Sequence, residues 1–304
     1  MTNKSVQQQM LILGYGEMGH AFEHLLAERY HLDVWEKYPL PGFHSVDLEN
    51  AAAQADIVFF CLPVNPHKEV LTRIAPLLKT NSICISIAKG LDEAGQTAAE
   101  IFAEVLGENH DYALLYGPMI SEEICAHRYA FAELGCRDAS LYEKIQDCFK
   151  DTLLYVEHTE DIPGISWSVI LKNVYALIFG MADELQLGDN MRGYLSVAAL
   201  RELSQIVHQK GGKKDSPYHL AGLGDLMTTA TSEDSHHHTL GRKLARGETE
   251  NIAGEGVHTL EMVIKHRLFD VSKFPLFQLI YQIVKKPDNV ASDISCYLNA
   301  VYRR

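Results

Sequence analysis

Residues 9–36 constrain the chain more than any other stretch. Gln9-Met10-Leu11-Ile12-Leu13 reads as a buried strand, and Gly14-Tyr15-Gly16-Glu17-Met18-Gly19 follows directly. Met18, Ala21, Phe22, Leu25 and Leu26 then recur at helical spacing. Leu32-Asp33-Val34-Trp35 forms a second strand that ends on Glu36. Gly14 permits a tight turn out of the strand, Gly16 lets a pyrophosphate approach the backbone, and Gly19 lets the helix pack close to the sheet. A helix N-terminus offers N–H groups and partial positive charge to phosphates. Glu36 lies about 20 residues past the glycines, where a carboxylate accepts from both ribose hydroxyls of a dinucleotide. It would repel a 2′-phosphate, which favours NAD, while neighbouring Lys37 leaves NADP open. Cofactor contacts are therefore expected from Gly14, Tyr15, Gly16, Glu17, Met18, Gly19 and Glu36. Glycines that merely shaped a turn would leave the position of the acid unexplained.

Beyond Glu36 the alternation continues. Asp56–Leu62 is a continuous apolar run ending at Pro63, as suits a parallel strand buried on both faces. Further strands are expected at Ser82–Ile87, Tyr112–Tyr116, Phe131–Leu134 and Leu153–Val156, with helical patterns between them. Such βαβ alternation predicts an α/β fold with a doubly wound parallel sheet. Near Asp161-Ile162-Pro163-Gly164 the rhythm changes. Ser166–Leu185 is apolar almost all round and predicts the central helix of an all-α domain. Further helices are expected at Arg192–His208, Leu240–Arg246, Val257–Arg267 and Leu276–Lys285. The expected domains are residues 1–163 and 164–304.

A net charge of −13 disfavours nucleic acid and anionic membranes as partners. The six cysteines form no C-x-x-C pair and read as buried, reduced thiols of a cytoplasmic protein. Cys61 reads as core rather than nucleophile. Met1–Gln8 lacks the apolar centre of a signal peptide, and the uncharged stretch Asn173–Ala182 is too short to span a bilayer. The apolar helices leave a homodimer open.

Ligands of doubly wound sheets bind outside the carboxyl ends of the strands. Pro63-Val64-Asn65, Ala88-Lys89-Gly90 and Gly117-Pro118 fall there. Lys89 follows a buried strand, where solvation and ligand binding both fit. Lys172 and Asn173 interrupt the most apolar helix in the chain. An ammonium so placed must be paired, or its pKa must fall. A lowered pKa allows proton exchange near neutrality, as carbonyl reduction needs, whereas a lysine at a helix edge would snorkel to solvent. Asp225, after Gly222-Leu223-Gly224, suits a helix N-cap or a rigid catalytic partner.

These motifs occur in order with Leu187-Gly188-Asp189-Asn190, Leu226-Met227-Thr228-Thr229 and Glu255-Gly256 with Thr259. Together they resemble the soluble NAD(P)-dependent glycerol-3-phosphate dehydrogenases over nearly the whole chain. The resemblance implies a Rossmann domain, an all-α domain, and an active site in the cleft between them. By it, Lys172 donates a proton to the carbonyl oxygen of dihydroxyacetone phosphate, Asp225 orients Lys172, and Lys89 adds positive charge. Asn173 and Thr229 position the substrate, and Pro63 and Glu255 lie by the cofactor, whose nicotinamide C4 exchanges hydride with the central carbon.

The family's Ser-Arg-Asn phosphate grip is here Ser235-His236-His237. Ser235, His236 and His237 remain the expected substrate contacts. Histidine is mostly neutral at pH 7, so phosphate affinity is expected to fall or depend on pH unless Arg242 or Lys243 substitutes. Consecutive rings point apart, so no metal site is expected at His236-His237-His238, and a solvated loop is. The leading expectation is an NAD-dependent oxidoreductase acting on dihydroxyacetone phosphate and sn-glycerol 3-phosphate in glycerophospholipid metabolism. The alternatives are a dehydrogenase for a non-phosphorylated hydroxy substrate and a non-catalytic NAD-binding sensor.

Overall fold

The structure, a computed structural model, describes residues 8–232 and 235–302. Of the polar leader Met1–Gln8, only Gln8 falls within them. Two compact units are formed. One takes the chain up to Ala88 and Gln96–Ile162, the other Lys89–Gly95 and the chain from Pro163 onward.

The first unit is a seven-stranded sheet of β1 (Gln9–Leu13), β2 (His31–Trp35), β3 (Ile57–Phe60), β4 (Ile83–Ser86), β5 (Asp111–Tyr116), β6 (Ala130–Gly135) and β7 (Leu154–Thr159). Strand order is β2-β1-β3-β4-β5-β6-β7. The helices are α1 (Glu17–Leu26), α2 (Leu48–Gln54), α3 (His67–Ile74), α4 (Ala98–Leu106), α5 (Ser121–Cys125) and α6 (Ala139–Gln146). Alternate residues of β1 and β3 face opposite sides: Met10, Ile12, Ile57 and Phe59 join one core, Leu11, Leu13, Val58 and Phe60 the other. Helices thus cover both faces, as in a doubly wound sheet.

The expected all-parallel sheet needs one correction, because β6 runs antiparallel to β5. The connection between them carries only the five-residue α5, short for the helical crossover that usually joins parallel neighbours. At its start, a Cβ on Gly117 would lie 2.4 Å from the Phe131 carbonyl oxygen. Chain and returning strand touch backbone to backbone there.

The second unit holds α7 (Ile162–Glu184), α8 (Gly188–Gln209), α9 (Asp225–Thr231), α10 (His236–Ala245), α11 (Glu255–His266), α12 (Pro275–Lys285) and α13 (Val290–Tyr302), with no strand among its described residues. Every α7 residue from Gly164 to Ala182 is buried. By length and composition α7 could cross a bilayer, contrary to expectation, but its apolar window is wholly enclosed by protein. Glycine lets neighbours reach its backbone. A Cβ on Gly180 would meet the His238 carbonyl at 2.0 Å, one on Gly241 the Leu177 carbonyl at 2.1 Å, and one on Gly256 the Asn173 carbonyl at 2.4 Å. Buried Glu202 ties three helices together. It accepts from the Tyr175 hydroxyl at 2.8 Å and from the N–H groups of Leu276 and Phe277 at 2.7 and 2.9 Å.

The cysteines also depart from expectation. All six are free thiols, but Cys125 and Cys296 are exposed. Burial pushes the thiols of Cys61 and Cys84 upward, which fits core residues rather than nucleophiles.

Candidate active site

The glycine turn in the first unit has the shape a dinucleotide requires. Gly14 has φ +95°, and a Cβ there would lie 2.8 Å from the Leu62 side chain. On Gly19 it would lie 2.2 Å from the Gly14 carbonyl oxygen, so helix and turn touch. A Cβ on Gly16 would meet nothing within 4 Å, which leaves open space in front of the backbone. Gly16 offers α1 no side-chain cap, Glu17 opens its first turn, and Met18 packs on the core. Together these features fit a pyrophosphate at the helix N-terminus.

Glu36 does more than the spacing indicated. Its Oε2 accepts from the Tyr15 N–H at 2.8 Å and its Oε1 from the Tyr38 N–H at 3.2 Å. The carboxylate therefore braces the glycine turn and retains lone pairs for a ribose. Tyr15 stacks on Phe43, with ring centroids 4.4 Å apart, and its hydroxyl donates to Glu23. Lys37 pairs with Glu69 at 3.3 Å.

Sequence reasoning missed His67. This fully buried ring donates from Nδ1 to the Pro63 carbonyl at 2.8 Å, and its Nε2 meets the Ser86 hydroxyl at 3.0 Å. Ser86 Oγ also accepts from the Ala88 N–H at 3.2 Å. Burial pulls the imidazole down to about 4, so it stays neutral and joins the loops that follow β3 and β4. Its only sequence signal is a histidine at an inward position of α3.

In the second unit Lys172, Asp225, Lys89, Thr229, Asn173 and Glu255 converge. Asp225 Oδ1 lies 3.2 Å from Lys172 Nζ, and Oδ2 lies 2.7 Å from Lys89 Nζ. One carboxylate thus serves two ammonium groups, one on each oxygen. It stands at the start of α9, where the chain passes through a wide π-helical turn at Leu220–Gly224. Such turns recur at functional sites. Lys172 Nζ also donates to Thr229 Oγ1 at 2.7 Å, and Thr229 Oγ1 donates to the Asp225 carbonyl at 2.7 Å. Lys172 is 4% exposed and Asp225 3%, so this is a buried pair, not a snorkelling lysine.

Burial pulls the Lys172 ammonium down to about 8; Asp225 opposes that shift and the charge on Lys89 adds to it. Burial alone would raise the Asp225 carboxyl, but Lys172 and Lys89 outweigh it and hold the group below its ordinary value. Asn173 Nδ2 donates to the Lys89 carbonyl at 3.1 Å and to Glu255 Oε2 at 3.0 Å. Its Oδ1 is buried with no hydrogen-bond partner, an acceptor awaiting a donor. Burial raises the Glu255 carboxyl, against the two ammonium groups.

The histidine run is not the solvated loop expected. It forms the first turn of α10, capped by Ser235, whose Oγ accepts from the His238 N–H at 3.4 Å. Exposed His236 meets the Ala253 carbonyl through Nε2 at 2.9 Å, and buried His238 meets Asp183 at 2.7 Å. His237 Nε2 accepts from the Gly256 N–H at 3.3 Å, so that nitrogen carries no proton. Burial and the charge on Lys172 hold the ring down to about 3. In this arrangement His237 lies against the cluster as a neutral ring. No group of three or more metal-ligating side chains occurs among the described residues. An open cleft of about 640 Å³ beside α1 and α5, lined by His20, His24, Cys125 and His127 among others, contains none of these groups.

Comparison with known proteins decides the family. A model of the NAD-dependent glycerol-3-phosphate dehydrogenase N-terminus matches residues 38–142, and its C-terminal counterpart matches residues 161–294. The chain is 30% identical over 287 residues to glycerol-3-phosphate dehydrogenase (NAD(P)+) of Oleidesulfovibrio alaskensis, covering 84% of this chain and 87% of that protein. The chain belongs to the NAD-dependent glycerol-3-phosphate dehydrogenase family. The enzyme of the same name from Deinococcus radiodurans is 33% identical over 242 residues, covering 79% of this chain and 72% of that one. Glycerol-3-phosphate dehydrogenase from Coxiella burnetii shares the fold, with TM-score 0.82 at 23% identity over 95% of this chain and 98% of the other.

Proposed function

We propose that the chain is a cytoplasmic enzyme that interconverts dihydroxyacetone phosphate and sn-glycerol 3-phosphate with NAD(H), supplying glycerophospholipid metabolism. One observation carries the mechanism: a buried lysine, poised near pH 8, shares Asp225 with a second lysine beside an unpartnered amide oxygen. The nicotinamide supplies or accepts the hydride when bound. Lys172 gives its Nζ proton to the carbonyl oxygen as that oxygen gains charge, and takes it back in the reverse direction. Lys89 stabilises the developing alkoxide, and two cationic donors at one oxygen suit that step. Asp225 holds both ammonium groups in place, Thr229 fixes Lys172, and Asn173 Oδ1 accepts from a substrate hydroxyl. Ser235, His236 and His237 are the proposed neighbours of the distal end of the substrate, with neutral His237 acting as a hydrogen-bonding group rather than a cation.

Gly14, Tyr15, Gly16, Glu17, Met18, Gly19, Glu36 and Pro63 are the proposed cofactor contacts, with Glu255 beside them. Glu36 favours NAD over NADP, since a 2′-phosphate would face its carboxylate. The domains are proposed as residues 1–163 and 164–304, with Lys89–Gly95 grouping with the second. Neither nucleic acid nor membrane is a proposed partner, and a homodimer is the proposed assembly. The names of the relatives favour the phosphorylated substrate pair over a non-phosphorylated one.

NADH consumption with dihydroxyacetone phosphate and with dihydroxyacetone tests this directly. Preference for the phosphorylated ketone by two orders of magnitude or more in kcat/KM is expected. Equal use of both would overturn the substrate assignment.

A further inference from the structure

The segment Lys89–Gly95 groups with the helical unit, and its backbone shows what holds it there. Carbonyl groups at alternate positions are each received by a side chain from α7 or α11. Asn173 Nδ2 takes the Lys89 carbonyl at 3.1 Å. His258 Nε2 takes that of Leu91 at 3.1 Å. His266 Nε2 takes that of Glu93 at 3.0 Å, with Lys265 Nζ at 3.4 Å from the same oxygen. The carbonyls at positions 89, 91 and 93 thus all face these donors. Glu255, His258, Met262 and His266 recur at three- and four-residue steps along α11 and share a face. The far end closes where Gly95 turns with φ +81°, its Cβ position 3.1 Å from the His266 ring. The Gly95 N–H donates to the Asp92 carbonyl at 3.0 Å, which folds the turn back on itself.

We propose that His258 and His266 are positioning residues that hold the Lys89 segment along α11 and thereby set the Lys89 ammonium against Asp225. Neither histidine stands within the lysine–aspartate cluster, and both act through backbone. This inference rests on the proposed reaction for its kinetic consequence, but not for its geometry. A near-attack arrangement is sensitive to displacements of about 1 Å. Loss of one carbonyl donor should therefore lower turnover without touching cofactor affinity.

The test is a double-mutant cycle with a labelling arm. His258→Phe should lower kcat by about ten- to a hundredfold and leave the Kd for NADH unchanged. His258→Gln, which keeps a side-chain N–H donor, should recover most of the loss. In a Lys89→Ala background the Phe substitution should cost nothing further. An equal loss in that background, or no rescue by Gln, would show that His258 acts otherwise and overturn the proposal. If His258→Phe fails to fold, the cycle runs with His266→Phe, since His266 is exposed. Trace acetylation of the free protein, read by mass spectrometry, needs no turnover: Lys89 should react faster in the Phe variant relative to the other lysines. Unchanged Lys89 reactivity would sink the proposal even in an active enzyme. Wild-type protein that turns over no ketone while the labelling result holds would instead overturn the proposed reaction.

Discussion

At the scale of single residues, Lys172 carries the chemistry and its surroundings set when it can act. The ammonium must be protonated to reduce a ketone and neutral to accept a proton from an alcohol. With its pKa pulled down to about 8, kcat/KM for ketone reduction should fall as pH rises through that value, and kcat/KM for alcohol oxidation should fall as pH drops through it. Profiles in both directions check this; a reduction limb that stays flat to pH 10 would remove Lys172 as proton donor. The same shift has a stability consequence of fixed sign. Between pH 8 and 10.5 the unfolded chain holds the Lys172 proton more tightly than the folded one, so the cost of burying the ammonium is relieved as pH rises. Lys172 was legible because a charge in an apolar helix demands an explanation. His67, His258 and His266 were not, because bonds to backbone carbonyls leave no period or motif in a sequence.

Among the elements, α7 organises the second unit, and glycines decide how close its neighbours come. α10 crosses α7 where Gly241 meets the Leu177 carbonyl and Gly180 meets that of His238, both nearer than any Cβ could approach. Gly241→Ala should therefore lower stability by about 3 kcal/mol or more, as overpacking of a rigid core does. Denaturant unfolding of the variant checks this, and a midpoint unchanged from wild type would mean that α10 can shift at little cost. The length and burial of α7 were readable from its unbroken apolar character. The start of α10 was not: the apolar period begins only at Leu240, so the three histidines before it looked like loop. Ser235 was the available sign, since serine suits a helix N-cap and here it is one. The antiparallel β6 was likewise invisible, because a buried strand reads the same in either direction.

For the whole molecule, the order of motifs along the chain carried more than any motif alone. The β1–turn–α1 unit announced a dinucleotide fold by itself. Nothing local announced that Lys89, Lys172 and Asp225 would meet, because the pairing joins segments far apart in sequence; only the resemblance of the ordered set brought them together. Once folded, the two ammonium groups share the Asp225 carboxylate in a protein whose net charge is −13, so the positive field for a carbonyl oxygen is built locally. The most direct measurement compares wild-type protein with Lys172→Met for NADH consumption with dihydroxyacetone phosphate, alongside NADH binding by fluorescence. Loss of a general acid should lower kcat by about 10²–10⁴-fold, with NADH affinity preserved. A Lys172→Met enzyme that still turns over at near the wild-type rate would contradict the proton-donor role at its root.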